Sequence, residues 1–200
     1  MPTDEMLILV DGNDIPVGFD TKLDIHRRGA LHRAFSVLIF DGRGRLMLQR
    51  RAGRKYHSAG LWTNTCCGHP RPGEETGLAA KRRLREEMGF DCDLGKVATF
   101  TYRALLPNGL IEHEYDHVYV GRFDGEPEPD PAEASEWCWL DTTALREAVA
   151  ARPDDFTIWF REMLARAPHD GIEHWRTLAV AMRPAGELAL HPTEIAARPS

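Results

Sequence analysis

The sequence predicts a single α/β domain, a mixed-sheet sandwich with additional helices toward its C-terminus. Three observations carry that expectation. Strand-like segments bounded by Gly, Asp and Asn turns stand both before and after one strongly amphipathic segment, 74–88. Two further helical patterns follow the last strand. The 200 residues suffice for one sizeable core, which is expected to span residues 1–178, with 179–200 as a flexible tail.

Taken in order, Leu7 to Val10 with Asp11-Gly12-Asn13 reads as a short strand and turn. Phe35 to Phe40, Asp41-Gly42-Arg43-Gly44 and Leu46 to Arg50 read as a hairpin. In 74–88, Ala80, Leu84 and Met88 recur every four residues as an apolar stripe. Glu74 and Glu75 suit the positive end of that helix, and Gly89 suits its C-cap. Arg83 and Glu87 share another face and converge on one place. Lys96 to Leu106, Pro107-Asn108-Gly109 and Leu110 to Arg122 form a longer hairpin; pairing Leu106 with Leu110 puts Tyr102 opposite Glu114. Gly125 to Glu136 is a Pro-rich acidic loop before a strand at Trp137 to Leu140. Helices are expected around Thr143 to Ala151 and Phe156 to Ala167.

Composition narrows the function. A net charge of −6 argues against general nucleic-acid or membrane-surface binding, so an anionic substrate would need a locally basic pocket. The first residues are acidic and their apolar run, Met6 to Val10, is too short for a secretory signal. Cys66, Cys67, Cys92 and Cys138 have no zinc-finger spacing, and adjacent thiols suit a reducing, cytoplasmic setting.

Candidate chemistry lies in four places. Cys67-Gly68-His69-Pro70 sets a nucleophile and an imidazole on a tight loop. Strand alternation puts Glu112, Glu114 and Asp116 on one face, with Glu112 and Glu114 about 7 Å apart and within reach of one cation. Asp116 is expected to face solvent. Arg50, Arg51, Arg54 and Lys55 form a basic cluster, with Arg54 an ordinary solvated side chain. Three of the nine histidines could close a metal site with the two glutamates, a donor set that suits zinc or manganese. The remaining histidines, His57 among them, are expected to be ordinary surface or core residues.

Gly68, Glu74, Arg82 and the run to Phe90 resemble the Nudix box, G-x5-E-x7-R-E-U-x-E-E-x-G-U. One position departs: Arg83 stands where Nudix hydrolases carry a metal-binding glutamate. That exchange removes a ligand and adds a bidentate phosphate donor. With Thr63-Asn64-Thr65-Cys66-Cys67-Gly68-His69-Pro70 before it, the stretch resembles the type 1 isopentenyl-diphosphate isomerases, over roughly residues 22 to 160. The resemblance implies a Nudix-type α/β/α sandwich. It also implies that Lys22, Arg51, Lys55 and Arg83 hold a substrate diphosphate, and that Glu87 binds magnesium (Mg2+) together with diphosphate oxygens. His26, His32, His69, Glu112 and Glu114 would hold the second ion, manganese or zinc. His26 is placed by the pattern K-x3-H, whose distance to the next histidine varies in the family.

The implied reaction moves a carbon–carbon double bond. Protonating an unactivated alkene at its terminal carbon gives a tertiary cation, which then loses a proton on the other side. Cys67 and Glu114 match the family's acid–base pair, with Tyr102 assisting; which of the two delivers the first proton stays open. Trp159 matches an aromatic wall able to stabilise the cation by ~2 kcal/mol when desolvated, and Trp62 is a second candidate. Cys66 is expected to be a buried small residue. The partner would be a small diphosphate alone, with the protein a monomer or weak dimer. Two other readings are a Nudix pyrophosphohydrolase, which Arg83 disfavours, and a non-catalytic Nudix-like binding domain, which Cys67, Glu87 and Glu114 disfavour.

Overall fold

The computed structural model describes residues 5–55, 57–167 and 171–184. The tail expected from residue 179 lies outside the described residues from 185 onward.

The chain opens with strands β1 (Met6–Val10) and β2 (Pro16–Thr21) and helix α1 (Lys22–Arg28). Strands β3 (His32–Phe40), β4 (Leu46–Arg51), β5 (Trp62–Thr63) and β6 (Cys66–Gly68) come next, then helix α2 (Thr76–Met88). Strands β7 (Leu94–Leu105), β8 (Ile111–Arg122) and β9 (Ala134–Leu140) lead to helices α3 (Thr142–Ala151), α4 (Ile158–Arg166) and α5 (Gly171–Val180). The sheet is mixed, as expected: β3 runs parallel to β8 and antiparallel to β6, and β8 runs antiparallel to β7.

Alternation along β3 sorts its side chains between two layers. Phe35, Val37 and Ile39 join Ala80, Leu84 and Met88 of α2, whereas Leu38 and Phe40 join Trp159, Phe160 and Met163 of α4. Helices therefore cover both faces, giving the α/β/α sandwich. On β8 the α4-facing side grades along the strand: Val118 and Val120 are core, and Glu112, Glu114 and Asp116 continue the same face at the other end. A hydrophobic core at one end and a row of acids at the other put any chemistry at the edge of the core.

The short strands β5 and β6 were not expected, β6 pairing Cys66–Gly68 with β3 where a tight loop was expected, and three further elements are new as well. Residues 16–28 form β2 and α1, capped by Thr21, whose hydroxyl accepts from the Asp24 amide, and by Gly29 in the left-handed region. The short pattern Lys22 to Arg28 lacks a long apolar stripe, so its helix is set by tertiary contact rather than periodicity. The third is α5, which runs to Val180 with Ala179 fully buried, two residues past the expected domain end. Helix α2 begins at Thr76 rather than 74, because the Glu75 carboxylate caps it by accepting from the Gly77 and Leu78 amides.

At the other end of α2, Gly89 has φ 78° and a Cβ there would meet the Glu128 carbonyl oxygen at 2.5 Å. Gly89→Ala is therefore expected to destabilise by about 2 kcal/mol or more, combining left-handed strain with a backbone clash. Thermal denaturation would read this as a clear fall in midpoint; an unchanged midpoint would contradict it.

Candidate active site

Four strands lie side by side in the order β7, β8, β3, β6 and carry the floor of the site. In register across them, Tyr102 lies opposite Glu114 and Glu114 beside His32. The expected turn holds too: the Leu106 amide donates to the Leu110 carbonyl at 2.8 Å. Two pair rows further along, Cys67 faces Ser36, which lies beside Val118. Cys67 and Glu114 thus share one face of the sheet with the Asp116 row between them. Alternation turns Cys66 the other way, fully buried against α2, as expected of a small core residue.

Above this floor is a cavity of about 1010 Å³. Cys67, His69, Glu87, Glu112 and Glu114 line it together with Lys22, Arg51, Lys55, Arg83 and Trp159. His26, His32 and Tyr102 stand behind that lining, fully or almost fully buried. These expected site residues therefore meet in one place, although they come from eight segments between residues 22 and 159. Trp62 is the exception. It pairs with β4 at Arg50, forms a bridge to Phe156 and accepts from the Thr157 amide, so it supports the start of α4 rather than the cavity wall. Arg54 is exposed, as expected, at the cavity mouth.

The imidazoles are oriented by the backbone. His26 Nδ1 lies 2.6 Å from the Lys22 carbonyl oxygen and His32 Nδ1 lies 3.0 Å from that of Ala30. A carbonyl accepts only, so each Nδ1 carries the hydrogen and each Nε2 offers a lone pair. Those lone pairs face carboxylates. His26 Nε2 is 3.0 Å from Glu112 Oε2. His32 Nε2 is 3.7 Å from Glu114 Oε1, beyond hydrogen-bond range, and has no partner. His69 Nε2 is 3.0 Å from Glu114 Oε1. Acceptors set against acceptors in a buried site call for a cation between them. Candidate ligand atoms of His26, His32 and His69 lie within 4.8 Å of one another, as do those of His32, Glu112 and Glu114. The donor set fits a borderline divalent ion.

Burial and charge divide the titrating groups. Burial pushes the Cys67 thiol up to about 12, with Arg51 opposing and Glu87, Glu114 and Asp116 adding to it. Burial would raise Glu114 as well, but the facing His32 and His69 rings hold it well below the usual carboxylate range. The thiol thus keeps its proton while the carboxylate is ionised. Glu114 Oε2 also accepts from the Tyr102 hydroxyl at 2.7 Å, and burial raises that phenol far above its ordinary value. Burial lowers His69 to about 4. Burial likewise disfavours His26 as a cation, yet a proton taken up on Nε2 would bond Glu112, and this outweighs burial and raises it.

Arg83 and Glu87 meet as the helix spacing requires, Arg83 Nη2 donating to Glu87 Oε1 at 2.6 Å. The second Glu87 oxygen accepts from Gln49 Nε2 at 3.0 Å. Lys22 pairs with Glu5 at 2.9 Å, and the Arg51 guanidinium stacks 5.0 Å from the Trp159 ring centroid.

Asp116 overturns its expectation. It is 1% exposed, not solvent-facing, and accepts from the Ser36 hydroxyl at 2.7 Å. Burial, reinforced by the Glu114 charge, raises its carboxyl well above the usual range. The signal was present in Val118 and Val120, which continue the same strand face as plain core. His57, expected to be an ordinary surface or core residue, also stands at the site. It lines the cavity, edge-on to Trp159 at 5.8 Å, with Nε2 3.6 Å from Glu112 Oε1. Its place two residues after Lys55, in the basic loop, was the available hint.

Comparison with known proteins agrees with this geometry. Residues 30–160 match the NUDIX domain, so the chain is a Nudix-family protein. A solved protein of that fold, DR0079 from Deinococcus radiodurans, superposes with a TM-score of 0.62 over 74% of this chain and 90% of its own, at 24% identity. Curated relatives are nearer. Isopentenyl-diphosphate Delta-isomerase 2 of Photorhabdus laumondii is 54% identical over 175 residues, covering 88% of this chain and 99% of that protein. Isopentenyl-diphosphate Delta-isomerase of Serratia proteamaculans is 53% identical over 178 residues, 89% of this chain and 99% of its own. Within the Nudix class, the chain belongs to the isopentenyl-diphosphate Delta-isomerase family.

Proposed function

We propose that the chain converts isopentenyl diphosphate to dimethylallyl diphosphate by protonating and deprotonating the alkene, the step that supplies an allylic isoprenoid precursor. The observation that carries this is the shared cavity: a thiol and a carboxylate, Cys67 and Glu114, face it together with an aromatic wall and a cluster of cations. One group adds a proton to the terminal carbon and the other removes one beyond the tertiary centre, so a C–H bond forms and a C–H bond breaks with no net change in charge. Tyr102, donating to Glu114, holds that carboxylate toward the substrate. Trp159 offers a π-surface to the cation. Lys22, Arg51, Lys55 and Arg83 hold the diphosphate.

Glu87, hydrogen-bonded by Gln49, would bind Mg2+ with diphosphate oxygens completing the shell. His26, His32, His69, Glu112 and Glu114 would hold manganese or zinc, which when bound supplies positive charge that fixes and polarises Glu114. Among the described residues no helix is long and apolar enough to cross a membrane. We read the chain through the end of α5 at Val180 as one cytoplasmic catalytic unit, a monomer or weak dimer that takes no nucleic-acid or membrane partner.

Arg83 and Glu87 separate the isomerase from a hydrolase. Arg83→Ala removes a charge-assisted contact to the diphosphate and is expected to raise KM by about tenfold or more with a smaller effect on kcat. Glu87→Gln is expected to shift activity to higher magnesium concentrations. Steady-state rates of dimethylallyl diphosphate formation across magnesium and substrate titrations test both. Strong release of phosphate from nucleoside diphosphates by Arg83→Glu would instead make this a hydrolase pocket lacking one ligand.

A further inference from the structure

The loop between β8 and β9 is pinned at both ends of the cation cluster. The amides of Glu128 and Asp130 donate to the carbonyls of Met88 and Glu87 at 2.9 and 3.0 Å, at the end of α2. At its far end, the Glu133 carbonyl accepts from the Ala52 amide at 2.9 Å, one residue after Arg51. Pro129 and Pro131 limit the loop between these anchors, and Pro127 precedes the first of them. Glu133 is therefore fixed between the helix that carries Arg83 and the loop that carries Lys55.

Its side chain reaches both. Glu133 Oε2 pairs with Lys55 Nζ, and Glu133 Oε1 lies 3.4 Å from Arg83 Nη2. It lines the same cavity and is 21% exposed. We infer that Glu133 is a positioning residue of the diphosphate subsite, one carboxylate that sets the spacing of Lys55 and Arg83 so that both present their remaining donors to the same anion. The inference rests on the diphosphate reading of the cavity. Donors do remain: Lys55 has three N–H groups, and Arg83 keeps Nε and part of its Nη1, which otherwise bonds Glu86 at 2.8 Å.

Long cationic side chains lose much rotamer freedom on binding, and a fixed acid that has already ordered them lessens that loss. Simple repulsion between Glu133 and an anionic ligand predicts the opposite sign, which makes the inference sharp.

The test is calorimetric titration of the full chain with magnesium pyrophosphate. Glu133→Gln keeps size and loses charge, and should weaken binding about tenfold, while Glu133→Asp should recover part of the loss. In turnover, Glu133→Gln should raise KM by a similar factor with kcat changed less than about threefold and with an unchanged melting midpoint. On a Lys55→Met background the Glu133→Gln effect should shrink, since the two act through one contact. Unchanged or tighter binding by Glu133→Gln, or full additivity with Lys55→Met, would overturn the inference alone. Failure of the wild-type protein to bind magnesium pyrophosphate would remove the diphosphate reading itself.

Discussion

Cys67→Ser is expected to lose isomerisation by 10²–10⁴-fold or more while the protein keeps its fold, because one member of an acid–base pair is removed. Serine preserves the size of the side chain, but a hydroxyl is far harder to ionise than a thiol of ordinary pKa near 8.5. The cavity makes that difference worse. Burial already pushes the Cys67 thiol up to about 12, so a weaker acid in the same place has no means of cycling. Cys66→Ser is the built-in control. Its side chain points away from the cavity into the layer under α2, so it should keep most of the activity. It should also keep most of its stability, because a serine hydroxyl can retain the bond that the buried Cys66 thiol makes to the Glu87 carboxylate. Rates of dimethylallyl diphosphate formation and melting midpoints for both variants separate the two effects. Full activity in Cys67→Ser would defeat the assignment.

Loss of the metal should be as damaging. Prolonged chelation is expected to abolish activity, and His69→Ala should lose the ion, since Glu112 and Glu114 face the acceptor nitrogens of His26 and His32 and repel them without a cation between them. The acidic pair also sits largely buried, where such repulsion costs several kcal/mol. Elemental analysis of purified, active protein is expected to find one transition-metal ion per chain. Active protein without any such ion would refute the site.

Much of this was legible in the sequence, for identifiable reasons. Helix α2 could be read because its stripe, its C-cap glycine and the Arg83–Glu87 spacing are all local, and the Tyr102–Glu114 pairing followed from one tight turn. The metal cluster was reachable only through family resemblance, since no spacing law brings His26 of α1 beside Glu112 of β8. The features that the sequence does not show depend on tertiary contact. Asp116 was misplaced because acids on a strand ordinarily mean solvent, although Val118 and Val120 marked that face as core. Helix α1 was hidden because seven residues with two buried side chains make a weak pattern. Glu133 looked like one more charge in an acidic loop until the loop's bonds to Ala52, Glu87 and Met88 placed it between two cations.

Turnover in heavy water tests the central claim most directly. If protons enter and leave carbon through Cys67 and Glu114, solvent deuterium must appear in the new methyl group of dimethylallyl diphosphate, as read by NMR or mass spectrometry of the product. The account predicts that label in the wild-type product, and no measurable labelled product from Cys67→Ser. Product free of deuterium, or phosphate release with every carbon-bound hydrogen unchanged, would contradict it.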